Sequence, residues 1–154
     1  MVKVRKLTAA DVNAVQAMVR EFGAYLTALG DSWSHNFTAE RYLADGFGPD
    51  PAFHGLIAEA DNGAALGYVL MSPNYDVDRG IRIEIVIDLW VNQSARGNGI
   101  GKALMQEAAN VARDRGARQL LWAVFKPNRL AADFYRSIGG RMVDDLDWMY
   151  LPLA

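Results

Sequence analysis

Apolar residues recur at two spacings along this chain, and the alternation between them predicts its elements. Val2, Val4 and Leu7 open it as a short strand. From Thr8 the spacing lengthens. Val12, Val15, Val19, Phe22 and Leu26 fall three or four apart and predict a helix reaching Gly30, with Thr8 and Asp11 placed to cap its free first-turn amides. A shorter helix is expected from Thr38, ending before the breakers Asp45-Gly46-Phe47-Gly48-Pro49, and a polar, aromatic loop from Gly30 to Phe37 separates the two. Phe53 to Glu59 and Ala64 to Met71 flank Asp61-Asn62-Gly63 and predict a hairpin. A turn is expected at Ser72-Pro73-Asn74. Ile81 to Val91 then reads as a long, β-branched strand interrupted by Glu84 and Asp88.

Helical spacing returns with Ile100, Leu104, Ala108 and Val111, and Gly116 supplies a stop. Gln119 to Phe125 reads as a buried strand. Leu130, Phe134 and Ile138 mark a further helix closed by Gly139-Gly140, and Arg141 to Leu153 is expected to hold two short strands separated near Asp144 to Asp147. Strands interleaved with helices predict an α/β fold, a mixed central sheet flanked by helices, with residues 1–154 as one domain.

Composition narrows the function classes. The 154 residues are 51% hydrophobic and include four Trp, six Tyr and six Phe, enough to bury a core without disulfides or metals. Cysteine is absent, which removes thiol nucleophiles and cysteine zinc sites and fits a reducing compartment. Sixteen basic and eighteen acidic residues give a formal charge of −2, so nothing draws the chain as a whole to nucleic acid or an anionic membrane. Two separated histidines and no acidic cluster argue against a metal site. The start is too polar for a signal peptide and no apolar run is long enough to span a membrane, so a cytoplasmic protein is expected.

The run Arg96-Gly97-Asn98-Gly99-Ile100-Gly101-Lys102 sits between a predicted strand and a predicted helix. Amides at a helix start lack intrahelical acceptors, and glycines let the backbone approach an anion closely. The run is therefore either a phosphate cradle rimmed by Arg96 and Lys102, or an ordinary tight turn. It lacks the Gly-Lys-Ser/Thr triplet of a nucleotide P-loop, and its position does not suit a dinucleotide fingerprint.

Residues 81–141 resemble the core of the Gcn5-related N-acetyltransferase (GNAT) superfamily. Arg96-Gly97-Asn98-Gly99-Ile100-Gly101 matches its Arg/Gln-x-x-Gly-x-Gly/Ala signature, and the likeness continues through Asn128 and Phe134-Tyr135-Arg136-Ser137-Ile138-Gly139-Gly140. The opening Val4-Arg5-Lys6-Leu7-Thr8 resembles the family's first strand. What this implies is acetyl-CoA wedged between two splayed parallel strands, those ending at Val91 and Phe125. Its pyrophosphate would meet the amides from Arg96 to Lys102, and its pantetheine arm would meet Leu89, Trp90, Val91 and Asn128. Asn128 is also suited to cap a helix. Tyr135 matches the family's proton donor to the departing thiolate, or is a ring of the core.

The acceptor side is less specified. On a regular strand Glu84 and Asp88 would share a face and serve together as the amine's proton acceptors, or each would neutralise an arginine. Asp88-Leu89-Trp90-Val91 resembles small-amine acetyltransferases of the diamine type, except that Ile87 stands where those carry a glutamate. Trp33 and His35 lie where the family builds its acceptor entrance, and Tyr75 and Asp76 offer aromatic and carboxylate contacts to a cation. The expected function is acetyl transfer from acetyl-CoA to a small primary amine. The alternatives are a protein N-terminal or lysine acetyltransferase, or a silent acyl-CoA sensor. Trp148, Met149 and Tyr150 are candidates for a final strand or a homodimer contact.

Overall fold

The computed structural model describes residues 2–153. Its backbone contacts divide the chain after Ala123 into two compact units. The larger carries five strands, β1 (Lys3–Lys6), β2 (His54–Glu59), β3 (Ala65–Asp76), β4 (Ile81–Val91) and β5 (Ala117–Leu121), and three helices, α1 (Val12–Ala28), α2 (Ala39–Phe47) and α3 (Ile100–Asp114). The smaller carries α4 (Arg129–Ser137). No helix among the described residues is long and apolar enough to cross a membrane.

The strands form one mixed sheet in the order β1-β2-β3-β4-β5, antiparallel except for the β4–β5 pair. Alternate residues serve its two faces. Ile57, Tyr68, Leu70 and Trp90 join Val15 and Met18 of α1 and Tyr42 of α2 in one core. Leu56, Val69 and Met71, of opposite parity and also buried, lie on the other face, where α3 packs through fully buried Leu104 and Ala108. Burial on both faces explains why β2 and β3 read as near-continuous apolar runs. Each fully buried leucine contributes about 2 kcal/mol relative to exposure.

Local chemistry sets most boundaries as the pattern predicts. The Thr8 amide donates to Asp11 Oδ2 at 2.7 Å, and Arg5 grips the same carboxylate at 2.9 and 2.7 Å. Gly116 adopts φ +82° and sends the chain straight into β5.

Four expectations need correction. The second helix continues through Asp45 and Gly46, because Phe47 reaches back to Tyr42 with ring centroids 5.0 Å apart, a contact that outweighs the roughly 1 kcal/mol helix cost of Gly46. Ser72-Pro73-Asn74 is strand rather than turn. Strand β2 stops opposite Met71, so Pro73 lies where β3 is paired from one side only, a position that tolerates a residue without an N–H. The fifth strand begins at Ala117 and ends at Leu121, not at Phe125. Residues 141–153 hold no strand, since a strand needs a partner's ladder and the C-terminal unit contains none.

Candidate active site

Strand β4 carries the site, because its two edges part company halfway along. It pairs with β3 as far as Val91, but with β5 only from Arg82 to Ile85. From Val86 to Val91 no described strand pairs with the second edge, the position an extended ligand would take to add to a sheet.

A bulge reorients the side chains of this open half. Asp88 opposes Leu70 while Val86 opposes Met71, so Ile87 is an extra residue and is 51% exposed. Adjacent residues of β3 point to opposite faces, so Asp88 and Glu84 do too. The expectation that the two carboxylates share a face therefore fails. Glu84 points to the α3 face, where it is buried and bound by Arg115 Nε at 2.8 Å and by His54 Nε2 at 3.0 Å. Asp88 points to the α1–α2 face and accepts the Tyr68 hydroxyl at 2.5 Å.

The environment of Asp88 suits proton transfer. Burial pushes its carboxyl up to about 7, against the opposing effects of the Tyr68 hydroxyl and the Leu89 amide. Tyr68 is fully buried, and burial, reinforced by Asp88, holds its phenol protonated well above the usual range. Tyr68 had no place among the expected site residues. It lies inside the apolar run Gly67-Tyr68-Val69-Leu70, and only the cross-strand register brings it to Asp88.

Next along the same face, Trp90 is buried, stacked on Phe22 at 5.1 Å and tilted against Tyr25 at 5.6 Å. Arg96 lies over the Trp90 ring at 4.4 Å and the Tyr25 ring at 5.2 Å, while its Nε donates to Val91 O at 3.0 Å. Arg96 is thus built into the wall that joins β4 to the glycine turn, rather than standing free at a rim. Lys102 is exposed.

The turn itself has the geometry of an anion cradle. Gly97 and Gly99 adopt φ +81° and +77°, and a Cβ on either would meet nothing within 4 Å. Those glycines face open space, and their conformation is one that side chains resist. Asn98 closes the turn by donating to Ala95 O at 3.2 Å. The first intrahelical bond of this turn runs from Ala103 N–H to Gly99 O, which leaves the amides of Ile100, Gly101 and Lys102 ahead of it at the positive end of α3. This donor set fits a pyrophosphate.

The remaining candidates are spread out. The ring of His35 packs where a Cβ on Gly23 of α1 would stand, 2.9 Å away, and its Nε2 is 3.5 Å from Asp31. Trp33 is 64% exposed in the same loop. Tyr75 and Asp76 lie at the other end of the sheet, opposite Arg82 and Ile81, about 20 Å along β4 from Asp88 at ~3.3 Å per residue. Asp76 is held there by Arg79 at 2.6 Å, and its carboxyl is lowered by the Arg79 amide and guanidinium. The structure does not bring this pair to Trp33 and His35. In the C-terminal unit, Asn128 is buried and its side chain accepts the Ala131 amide at 3.2 Å, capping α4, while the Tyr135 ring lies 5.3 Å from Phe134.

Comparison with known proteins shows the family and the fold. The profile of the acetyltransferase (GNAT) family matches residues 15–139, and the chain belongs to that family. It is an enzyme family of acetyl-group transfer. The chain is 33% identical over 147 residues to thialysine N-epsilon-acetyltransferase of Sus scrofa, covering 91% of this chain and 84% of the relative. The Mus musculus protein of the same name is 27% identical, covering 96% and 89%. Among solved structures, a ribosomal-protein-alanine N-acetyltransferase from Brucella melitensis superposes with a TM-score of 0.75 at 22% identity, covering 99% and 100%. An aminoglycoside N-acetyltransferase in complex with CoA superposes with a TM-score of 0.78 at 16% identity, covering 99% and 96%. These distant likenesses establish the fold, and their acceptors differ widely.

Proposed function

We propose that this protein transfers an acetyl group from acetyl-CoA to a small primary amine. The observation that carries the reading is the succession of two features on one strand and a third just beyond its end. The edge of β4 from Val86 to Val91, which no described strand pairs, carries Asp88 and leads through the short turn Gln93–Ala95 to the cradle at Gly97 and Gly99. The curated relatives named for thialysine supply the acceptor class.

In this reading the amides from Gly97 to Lys102 receive the pyrophosphate, and the backbone of Leu89, Trp90 and Val91 receives the pantetheine arm. The donor supplies an activated thioester: a C–N bond forms to the amine, the C–S bond breaks, and the thiol leaves with a proton. Asp88 takes a proton from the ammonium group of the acceptor, which must be neutral to attack. A carboxyl near 7 is divided between its acid and base forms at neutral pH, the condition in which one group both accepts and releases a proton. An amide of Leu89 or Trp90 donates to the carbonyl oxygen as charge develops on it. Tyr135 and Asn128 enter by family likeness, Tyr135 as proton donor to sulfur and Asn128 as a contact to the donor's arm. Trp33 and His35 stand at the acceptor entrance. The bulge and the Arg115–His54 grip give Glu84 a structural part, and the Arg79 ion pair does the same for Asp76. A cytoplasmic location belongs to the same reading and draws on the absence of cysteine.

An amine-panel assay tests it, following thiol release and product mass with thialysine, lysine, polyamines and N-terminal peptides. Turnover on a small amine is expected. Turnover on peptides alone transfers the assignment to protein acetylation, and tight donor binding without turnover on any acceptor leaves a sensor.

A further inference from the structure

Tyr42 and Tyr68 are both fully buried in the core shared by α1 and α2, and their hydroxyls end differently. Tyr42 donates to a backbone carbonyl, Thr8 O, at 2.8 Å. Tyr68 donates instead to an ionisable side chain, Asp88 Oδ2, at 2.5 Å. A buried hydroxyl needs an acceptor, and a carbonyl meets that need without any titratable partner. Phenylalanine would fill either ring site with no polar atom to satisfy. The pairing of Tyr68 with Asp88 therefore points past packing, to the carboxylate itself.

Cross-strand register makes the contact. Tyr68 of β3 opposes Trp90 of β4, and Asp88 stands two residues back on the same face, the diagonal position that a long aromatic side chain reaches. An ionised carboxylate has about four lone-pair sites. The Tyr68 hydroxyl and the Leu89 amide take two, and neither donor is free to withdraw, one being on a fully buried ring and the other in the backbone of β4. Burial and the neighbouring carboxylate hold the phenol protonated, so Tyr68 donates to Asp88 without passing its own proton on. The remaining titratable groups of the elements packed on this face are engaged elsewhere or meet solvent. Tyr25 of α1 tilts against Trp90, Arg96 lies over the same ring, and His35 of the loop between α1 and α2 stands 3.5 Å from Asp31. The charged residues of α1 and α2, Arg20, Glu21, Glu40, Arg41 and Asp45, are exposed, and buried Asp11 is held by Arg5.

We propose that Tyr68 is a positioning residue for acetyl transfer: its hydroxyl fixes the Asp88 carboxylate by one oxygen and leaves its free lone pairs to the acceptor amine. This rests on the reading of Asp88 as the group that takes the ammonium proton. In that step the proton passes from the acceptor nitrogen to Asp88, and Tyr68 keeps its own. The hydroxyl bond favours the ionised carboxylate against the burial that opposes it, so without it Asp88 ionises only at higher pH.

The test compares pH profiles of kcat/KM, with acetyl-CoA and the best small amine of the panel, for wild type, Tyr68→Phe, Tyr42→Phe and Asp88→Asn. A ten-fold change in the Asp88 ionisation constant makes Tyr68→Phe about ten-fold slower than wild type at pH 6 and brings it within about two-fold at pH 9. Titration of the acceptor cancels in the ratio. Tyr42→Phe loses a hydrogen bond in the same core, so it should lower the melting temperature while its ratio to wild type stays flat with pH. Added to Asp88→Asn, Tyr68→Phe should change the rate by less than about two-fold, since its effect runs through Asp88. Carbon-13 NMR of the wild-type protein supplies a readout that needs no variant to fold: Tyr68 Cζ and Asp88 Cγ should titrate with one midpoint. A pH-independent ratio for Tyr68→Phe beside an impaired Asp88→Asn overturns the positioning role alone, as does a Tyr68 Cζ that ignores the Asp88 titration. Wild-type speed in Asp88→Asn, or no turnover on any amine, overturns the proton-acceptor reading and this proposal with it.

Discussion

Glu84 and Asp88, four residues apart on β4, face opposite sides of the sheet because Ile87 bulges between them. One extra residue separates a carboxylate bound by an arginine and a histidine from one that accepts a phenol. In the proposed reaction Asp88 is the chemical acid of the pair and Glu84 a structural one, so the two are expected to respond differently to substitution.

Asp88→Asn is expected to lower kcat by about 100-fold, the lower end of what a positioned proton acceptor contributes. The wild-type kcat/KM should rise with pH through about 7 as Asp88 ionises, and the variant should lose that limb. Stability moves the other way. A carboxyl raised in the folded state favours folding most while it is protonated, so wild type loses stability relative to Asp88→Asn as pH climbs from about 4 to about 7. Denaturant unfolding of both proteins at pH 4, 5.5 and 7.5 measures the difference, and a constant gap would refute the assignment.

Arg115→Ala removes one partner of buried Glu84. The guanidinium is half exposed, so the cost is about 1–2 kcal/mol, below the 3–5 expected of a fully buried pair. Thermal unfolding should shift down by several degrees while KM for acetyl-CoA holds within two-fold. A selective loss of kcat would restore Glu84 to the chemistry.

Gly99→Ala and Gly63→Ala form a matched pair. Both glycines have positive φ and open space where a Cβ would stand, so both substitutions cost about 1–2 kcal/mol of backbone strain. Only Gly99 lies in the cradle. Calorimetric titration with CoA should show weakening of at least ten-fold for Gly99→Ala and none for Gly63→Ala, and equal affinities would reject the cradle.

Arg96→Lys keeps the charge but discards the stacking on Trp90 and Tyr25 and the bond to Val91 O. CoA affinity is expected to fall about ten-fold, roughly the effect of one cation–π contact and one hydrogen bond. If lysine serves as well as arginine, Arg96 acts through charge alone.

Tyr135→Phe should reduce kcat by about 100-fold with the CoA dissociation constant unchanged, the signature of an acid used only as sulfur departs. Parallel loss of kcat and affinity would mark a ring that merely packs.

Much of the fold was legible because periodicity and caps are local. Strand Ile81–Val91 falls where its β-branched run lies, α3 follows its apolar stripe, and the Thr8, Thr38 and Asn128 caps stand at helix starts. Pro73 misled because strand tolerance of proline depends on which neighbour stops short, and Gly46 misled because a ring contact from Phe47 overrode propensity. Arg141 to Leu153 carries a strand-like pattern, but a pattern becomes a strand only against a partner.

For the site, the division is equally physical. The sequence by itself determined the glycine turn at 96–102, the acidic positions of β4 and the family they resemble, since these follow from residue type and short spacing. The tertiary structure decided which face each carboxylate serves, that Tyr68 binds Asp88, and that Arg96 is locked onto Trp90. The first two depend on cross-strand register, and one bulged residue inverts register without leaving a mark on local periodicity, while the third depends on how the turn after β4 folds back on it.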